Sequence, residues 1–348
     1  MKKSIPYPLC KPISFLTLIL VCCMMIIGKA QGKNFYIVTP FEEDDYFTKT
    51  VFPFSPTFMK THKVKSILLK SDEKIGTKYL YNFNPDGFIE SMTTIRYDKV
   101  KADTAFYTRY YYKTQGLIDK KARIDYRDGI VKVNVYQYDK KNKINIIRIF
   151  SLNSQMPNRL QNSDWQGEPF PGVDKMILKG SLPNESLWKK LTTENEFSSW
   201  QYRYYTENKF EAEERTEYFN FRKKNDNPET CYQKKTYYYL NGLPAGLFLH
   251  NGCTAKKTIS ELYQFKEELL MQLTDAPSSP ESKIEKYTYD NNKNLIRMED
   301  IWSGQKVSEL EMTYDEKGFL ISIQRKSEAA NMIQYFQDRI LKATYSFY

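Results

Sequence analysis

From Tyr79 to the C-terminus, apolar and aromatic residues alternate with polar ones in short runs, and each run stops at Gly, Pro, Asn or Asp. Alternation with a period of two describes strands buried on one face, and the punctuating residues describe tight turns. Tyr79 to Ile89 is the first such unit, reversing through Asn84-Pro85-Asp86-Gly87. There Pro presets φ, Asp suits the turn centre and Gly takes positive φ. Ile124 to Val133 reverses at Asp128-Gly129, which suits a two-residue hairpin turn. Asn241-Gly242, Asn251-Gly252, Ser303-Gly304 and Lys317-Gly318 continue the series. The pattern predicts an all-β protein of antiparallel hairpins and meanders forming curved or twisted sheets, with at most one or two short helices.

Two stretches break the alternation. Ser151 to Trp200 carries Pro157, Pro169, Pro171 and Pro183 among many polar residues, and reads as an irregular connection with a short helix near Asn184 to Leu191. It divides the mature chain into a β-rich half over 31–150, the connection over 151–200, and a hairpin-repeat half over 201–348. Asp275 to Glu281 is a compact loop. The piece from Asn34 to Pro56 is irregular, and its Glu42-Glu43-Asp44-Asp45 run lacks the spacing of an oxygen-ligand cation site. It reads as a solvated acidic loop.

One phrase repeats. Tyr287-Thr288-Tyr289-Asp290, followed by Leu295-Ile296, returns as Met312-Thr313-Tyr314-Asp315, followed by Phe319-Leu320. Residues two apart share a strand face, so Tyr287 and Tyr289 project together while Asp290 opens the turn. Looser copies lie at Tyr79 to Ile89, Tyr110 to Ile118, Tyr136 to Ile144 and Gln334 to Leu341, and Ile259-Ser260-Glu261-Leu262 echoes Val307-Ser308-Glu309-Leu310. Each copy exposes strand edges, which neighbouring copies must complete.

The segment from Tyr287 to Lys326 resembles the YD repeats of the RHS and teneurin families, and the tyrosine-rich hairpin arrays of exported Bacteroidetes-type proteins. That resemblance implies β-sheet shells or curved sheets, a location outside the cytoplasm, and binding or encapsulating roles with no chemistry in the repeats. The chain is short and ends soon after the last copy, so no enclosed toxin domain is expected.

The N-terminus agrees with export. Lys2, Lys3 and Lys11 precede an apolar run from Ile13 to Ile27, and Gly28-Lys29-Ala30 fits a signal-peptidase site that makes Gln31 the first mature residue. The run is shorter than the roughly 20 residues a spanning helix needs, so no transmembrane anchor is expected after cleavage. Losing residues 1–30 removes four lysines and no acids, which lowers the net charge from +10 to 10 − 4 = +6. Charges of both signs are interspersed, which gives no nucleic-acid footprint. The expected location is periplasmic, outer-surface or extracellular.

Candidate chemistry is sparse. With His62 and His250 as its only histidines, the chain has no metal-site spacing and no nucleotide or nucleophile-elbow fingerprint, so neither metal nor cofactor is expected. Cys231 and Cys253 are the cysteines left after cleavage. In an oxidising compartment they pair as a disulfide; the alternatives are two buried thiols, or a nucleophile within His250-Asn251-Gly252-Cys253. Glu213, Glu214, Glu217 and Asp226 are candidates for a hydrolase's acid and base, although charged strand faces explain them more simply.

The aromatic residues offer a better hook. Trp200, Tyr202, Tyr204, Tyr237, Tyr239 and Trp302, with Trp165 and Trp188 elsewhere, either pack a core or form a platform for a glycan or an envelope protein. The triplets Tyr110-Tyr111-Tyr112 and Tyr237-Tyr238-Tyr239 place rings on both faces of a strand, so either both faces are covered or one is a binding surface. The leading expectation is a secreted, non-enzymatic binding or structural module of the bacterial envelope. One alternative is a carboxylate-dependent glycan hydrolase. Another is an outer-membrane barrel, suggested by the aromatic end Thr344 to Tyr348 and opposed by charges on both faces of Glu211 to Arg222.

Overall fold

The computed structural model describes residues 55–73, 76–97, 102–113, 116–125, 130–153, 196–219, 230–327 and 340–348. The signal segment, the acidic run, most of the proline-rich connection with its expected helix, the Asp128-Gly129 turn and most of the Gln334 to Leu341 copy lie outside them. Among the described residues one α-helix, α1 (Pro56–Thr61), precedes eighteen strands. These are β1 (Val64–Lys70), β2 (Gly76–Phe83), β3 (Ile89–Tyr97), β4 (Ala102–Tyr112), β5 (Ile118–Asp125), β6 (Ile130–Tyr138), β7 (Ile144–Asn153), β8 (Glu196–Glu207) and β9 (Phe210–Phe219). They continue with β10 (Thr230–Leu240), β11 (Leu243–His250), β12 (Lys257–Lys266), β13 (Leu269–Asp275), β14 (Lys283–Tyr289), β15 (Leu295–Trp302), β16 (Gln305–Tyr314), β17 (Leu320–Ser327) and β18 (Ile340–Phe347).

Every strand pairs antiparallel with the next, and β18 pairs with β1, so the eighteen described strands form one closed sheet. The two β-rich runs on either side of the connection share that sheet, because Ile147 of β7 stands opposite Trp200 of β8. Closure removes the unpaired edges that a hairpin array otherwise presents.

The repeated phrase becomes one local structure. In four hairpins an Asx residue opens a five-residue turn: Asn84, Asp139, Asp290 and Asp315. The Oδ1 of each accepts the backbone N–H groups two and four residues on, at 2.7 to 3.1 Å. The fourth turn residue takes positive φ: Gly87 at 83°, Asn142 at 58°, Lys293 at 65° and Gly318 at 86°. At Gly87 glycine is required twice over, since a Cβ there would stand 2.0 Å from the Pro56 carbonyl oxygen. After each turn the returning strand carries a bulge, as where Tyr314 faces Leu320 but Thr313 faces Ser322.

The tyrosine of the phrase then staples one hairpin to the one before it. Tyr112, Tyr138, Tyr204, Tyr289, Tyr314 and Tyr345 donate their hydroxyls to the carbonyls of Ile89, Ile118, Ile144, Leu270, Leu295 and Leu320, at 2.6 to 3.0 Å. The acceptor is the first or second residue of the preceding hairpin's returning strand. Each bond contributes about 1 kcal/mol, and its loss leaves a half-buried carbonyl unmatched. Burial lifts the Tyr138 phenol to about 12, and the phenols of Tyr204, Tyr289, Tyr314 and Tyr345 rise for the same first reason.

The seam between β18 and β1 has its own fastening. Phe58 of α1 packs on Phe319, with centroids 5.0 Å apart, and Phe319 meets Tyr345 at 5.1 Å. Lys60 pairs with Asp86 at 2.8 Å. The Tyr348 N–H donates to the Lys63 carbonyl at 2.9 Å, and its hydroxyl donates to the Phe83 carbonyl.

Tracing paired residues around the ring separates the two faces. Ile67, Tyr81, Met92 and Thr108 stand opposite one another in turn and are buried on the inner face. Leu295, Met298, Met312, Leu320 and Ile323 are also buried. The outer face of β14 to β17 differs. Lys286, Glu299, Glu309 and Lys326 form one cross-strand row, and Thr288, Arg297, Glu311 and Gln324 the next. Ion pairs knit them, including Lys326–Glu311 at 2.6 Å and Lys306–Glu299 at 3.4 Å. A hydrogen bond from Lys306 holds the Glu309 carboxyl below its ordinary range. The echo between Ile259-Ser260-Glu261-Leu262 and Val307-Ser308-Glu309-Leu310 does not extend to orientation. Ser260 sits in a bulge, so Glu261 lies on the inner face with Tyr263 while Glu309 points outward.

Candidate functional site

The strands from β8 to β12 leave the repeat. Three hairpins there, β8–β9, β10–β11 and β12–β13, reverse through two residues with positive φ at both: Asn208 and Lys209 at 48° and 70°, Asn241 and Gly242 at 53° and 76°, Glu267 and Glu268 at 51° and 67°; Ser303 and Gly304, between β15 and β16, do the same at 48° and 79°. This is the primed turn geometry that suits the twist of flanking strands. Asn and Gly adopt it readily, whereas the Glu pair does so against its preference.

Five of the six aromatic candidates meet on the inner face here. Trp200, Tyr202 and Tyr204 of β8 stand opposite Glu217, Arg215 and Glu213 of β9, and Tyr237 and Tyr239 of β10 stand opposite Glu213 and Glu211. Arg215 is 0% exposed, with its guanidinium carbon 3.8 Å from the Tyr237 ring centroid and 5.5 Å from that of Tyr202. Its Nε donates to Glu213 Oε1 at 2.5 Å, and the Tyr239 hydroxyl donates to Glu213 Oε2 at 3.3 Å. A buried guanidinium needs such a partner, because an uncompensated charge in this setting is strongly destabilising. Lys235 lies over Trp200 at 5.3 Å, and Lys143 over Tyr204 at 4.6 Å. Cations of the chain therefore cover the ring faces of Trp200, Tyr202, Tyr204 and Tyr237. Trp302 is elsewhere, at the end of β15 opposite Lys283, and is 43% exposed.

The carboxylates diverge. Glu213 faces inward to Arg215, while Glu214 faces outward and pairs with Lys234 at 2.7 Å. Glu217 is on the inner face, and Asp226 lies outside the described residues. Among the described residues no group of three or more His, Cys, Asp or Glu side chains is arranged to hold a metal. Cys231 and Cys253 form a disulfide with Cα atoms 6.3 Å apart, tying β10 to the turn after β11. His250 is engaged beside it: Nε2 meets Thr236 Oγ1 at 2.7 Å and Nδ1 meets the Thr254 carbonyl at 2.8 Å.

The outer face of the same strands carries a second ring cluster, formed by residues outside the six candidates. Tyr205, Ala212, Tyr238, Gly246 and Leu262 form one cross-strand row, large and small in alternation. Phe210 packs edge-on to Tyr238 at 6.1 Å, and Tyr238 edge-on to Phe248 at 5.1 Å. Lys257 lies 4.7 Å from the Tyr238 centroid and 5.4 Å from that of Phe248, and its ammonium is 3.3 Å from Glu207 Oε2. The Tyr238 hydroxyl donates to Glu207 and accepts from Lys257. That bond, foremost, holds the Glu207 carboxyl below its ordinary range. Tyr205, Phe210 and Phe248 are half-buried, and Ile259 and Leu262 at the margin are exposed. The signal for this cluster is the triplet Tyr237-Tyr238-Tyr239, which sends its middle ring to the opposite face.

No family model matches the chain, and no curated protein matches it. Among solved structures, "Crystal Structure of TcdB2-TccC3-Cdc42" aligns with TM-score 0.32 and 12% identity over 76% of this chain and 11% of that one. A porin-like protein from Bacteroides uniformis aligns with TM-score 0.28 and 11% identity over 82% of this chain and 97% of that one. The chain thus spans about a tenth of the toxin component it aligns with. Both scores are below the level at which a shared fold is assigned.

Proposed function

We propose that the protein is an exported, non-enzymatic binding module of the bacterial envelope, and that side-chain faces of the closed sheet do the binding. The observation that carries this reading is the split of the Tyr237-Tyr238-Tyr239 triplet. Two rings belong to the inner arrangement around Arg215, and the third belongs to a part-exposed outer cluster with a charged pair set among its rings. Closure of the sheet counts against recognition by strand addition, which needs a free edge. The divergence of Glu213 and Glu214 counts against a paired-carboxylate hydrolase.

The test is co-sedimentation of mature chain 31–348 with purified peptidoglycan sacculi and, separately, with outer-membrane fragments, alongside a reducing-end assay. Retention in a pellet with no reducing ends released is the expected result. Steady release of sugar ends, abolished by changing a single carboxylate, would overturn it.

An outer-membrane barrel is the second reading, favoured by closure of an even number of strands. The charged outer rows of β14 to β17 oppose it, because Lys or Arg on a lipid-facing surface costs about 2–4 kcal/mol each at the bilayer midplane. Quantitative recovery of the native protein without detergent would dismiss the barrel.

A further inference from the structure

We propose that the outer ring cluster of β8 to β12 is a glycan-binding site, with the apolar faces of sugar rings laid on Tyr205, Phe210 and Phe248 and sugar hydroxyls bonded to Glu207 and Lys257. The proposal rests on the binding-module reading and adds the place and the ligand class.

Three features converge. The first is the row of alternating sizes. Ala212 is 3% exposed and Gly246 is buried, and a Cβ at Gly246 would lie 3.4 Å from the Phe248 ring. Small residues at these two positions let the neighbouring rings lean into the row, which makes a shallow aromatic strip across consecutive strands. The second is the polar chemistry set among the rings. Glu207 and Lys257 side chains are 39% and 29% exposed, so each has a free side toward water while the Tyr238 hydroxyl joins both. Tyr238 also meets the Tyr205 hydroxyl. The third is charge. Arg203 is exposed and lies over one face of the Tyr205 ring, 5.5 Å from its centroid.

A ligand matching this surface is apolar on its faces and hydroxylated at its edges, which describes a pyranose chain. A protein partner would instead be expected to desolvate a wider apolar centre with charges confined to its rim. Here an ammonium and a carboxylate sit within the ring cluster itself, where a hydroxyl bonds to either without losing a charge partner.

Affinity electrophoresis and calorimetry of chain 31–348 test this with three probes: a neutral β-glucan, an N-acetylchitooligosaccharide series and oligogalacturonate. Binding of at least one probe is expected, weakened about tenfold or more by Phe210→Ala or Phe248→Ala, the scale of a hot-spot ring. Leu262→Arg, at the exposed margin, should block it with no change in melting temperature, and so covers the case in which a ring deletion unfolds the chain. Ile321→Ala, at the exposed bulge residue of β17, should leave binding within twofold. Retention on sacculi or membranes with no binding of any probe would overturn the glycan site and leave the module reading standing. Retention that disappears when the envelope fraction is pretreated with protease would overturn it in favour of a protein partner. Unchanged glycan binding in both Phe210→Ala and Leu262→Arg would remove the site but keep the ligand, and loss of retention altogether would remove both readings.

Discussion

The β2–β3, β6–β7, β14–β15 and β16–β17 hairpins reverse the chain in one way, and the β8–β9, β10–β11 and β12–β13 hairpins in another. The first group uses five-residue Asx turns, a positive φ at the fourth turn residue and a bulge in the returning strand. The second uses two-residue turns, and its tyrosines turn to other duties: Tyr237 and Tyr239 surround Arg215 and Glu213, and Tyr238 joins an outer cluster. In the repeat a tyrosine is a staple, because its hydroxyl completes the backbone of the neighbouring hairpin. Beside the β10–β11 turn the three tyrosines meet side chains instead. Side chains of one type thus serve two purposes, and Tyr204, although it precedes a two-residue turn, is still a staple.

Four experiments break or sharpen that contrast, taken from the largest expected effect to the smallest. Glu213→Gln removes a charge partner of a fully buried guanidinium, so stability should fall by about 3–5 kcal/mol, read as a lower urea midpoint. The same change at Glu214, whose Lys234 partner is on the outer face, should cost at most about 1 kcal/mol. Equal losses at both would show that the inner cluster is not special. Reducing the Cys231–Cys253 bridge, which closes a span of 22 residues in the departing region, should cost about 3 kcal/mol by chain entropy and lower the melting temperature.

Within the repeat, Tyr314→Phe should cost about 1–2 kcal/mol by orphaning the Leu295 carbonyl, and Asp315→Ala about 1 kcal/mol by loosening its turn. If Tyr238→Phe proved as costly as Tyr314→Phe, the outer cluster would be structural after all. The smallest effect is alkaline. The staple phenols titrate higher in the folded chain than in the unfolded one, so their contribution is complete below about pH 10. It is lost as pH rises toward the folded value, about 12 for Tyr138. A denaturant midpoint flat from neutral pH to about pH 9 and falling above about pH 10 is expected, and one that rises there would contradict the assignment of the hydroxyls as donors.

Much of the scaffold was legible in advance because its information is local. Asp290 and Asp315 announce their turns, Gly87 and Gly318 stand where positive φ is needed, and Tyr287 and Tyr289 share a face because a strand has a period of two. The candidate site was legible in part. Trp200, Tyr202, Tyr204, Tyr237 and Tyr239 do gather, yet cations of the chain cover four of their faces, which no spacing rule reveals. Trp302 shares only a residue type with them. The outer ring cluster draws on five strands, so its members are scattered from Arg203 to Leu262, and only the tyrosine-rich runs that hold Tyr205 and Tyr238 carried a hint.

By itself the sequence determined the strand pattern, the repeating turn and the direction each tyrosine takes from its strand, since these depend on neighbours a few residues apart. Only the tertiary structure decided that β18 returns to β1, that Glu261 and Glu309 face opposite ways despite matching surroundings, and that Arg215 lies between two tyrosines. Closure, bulge placement and burial of a charge are each settled by partners distant in the chain, whose free energies add only once the sheet has formed.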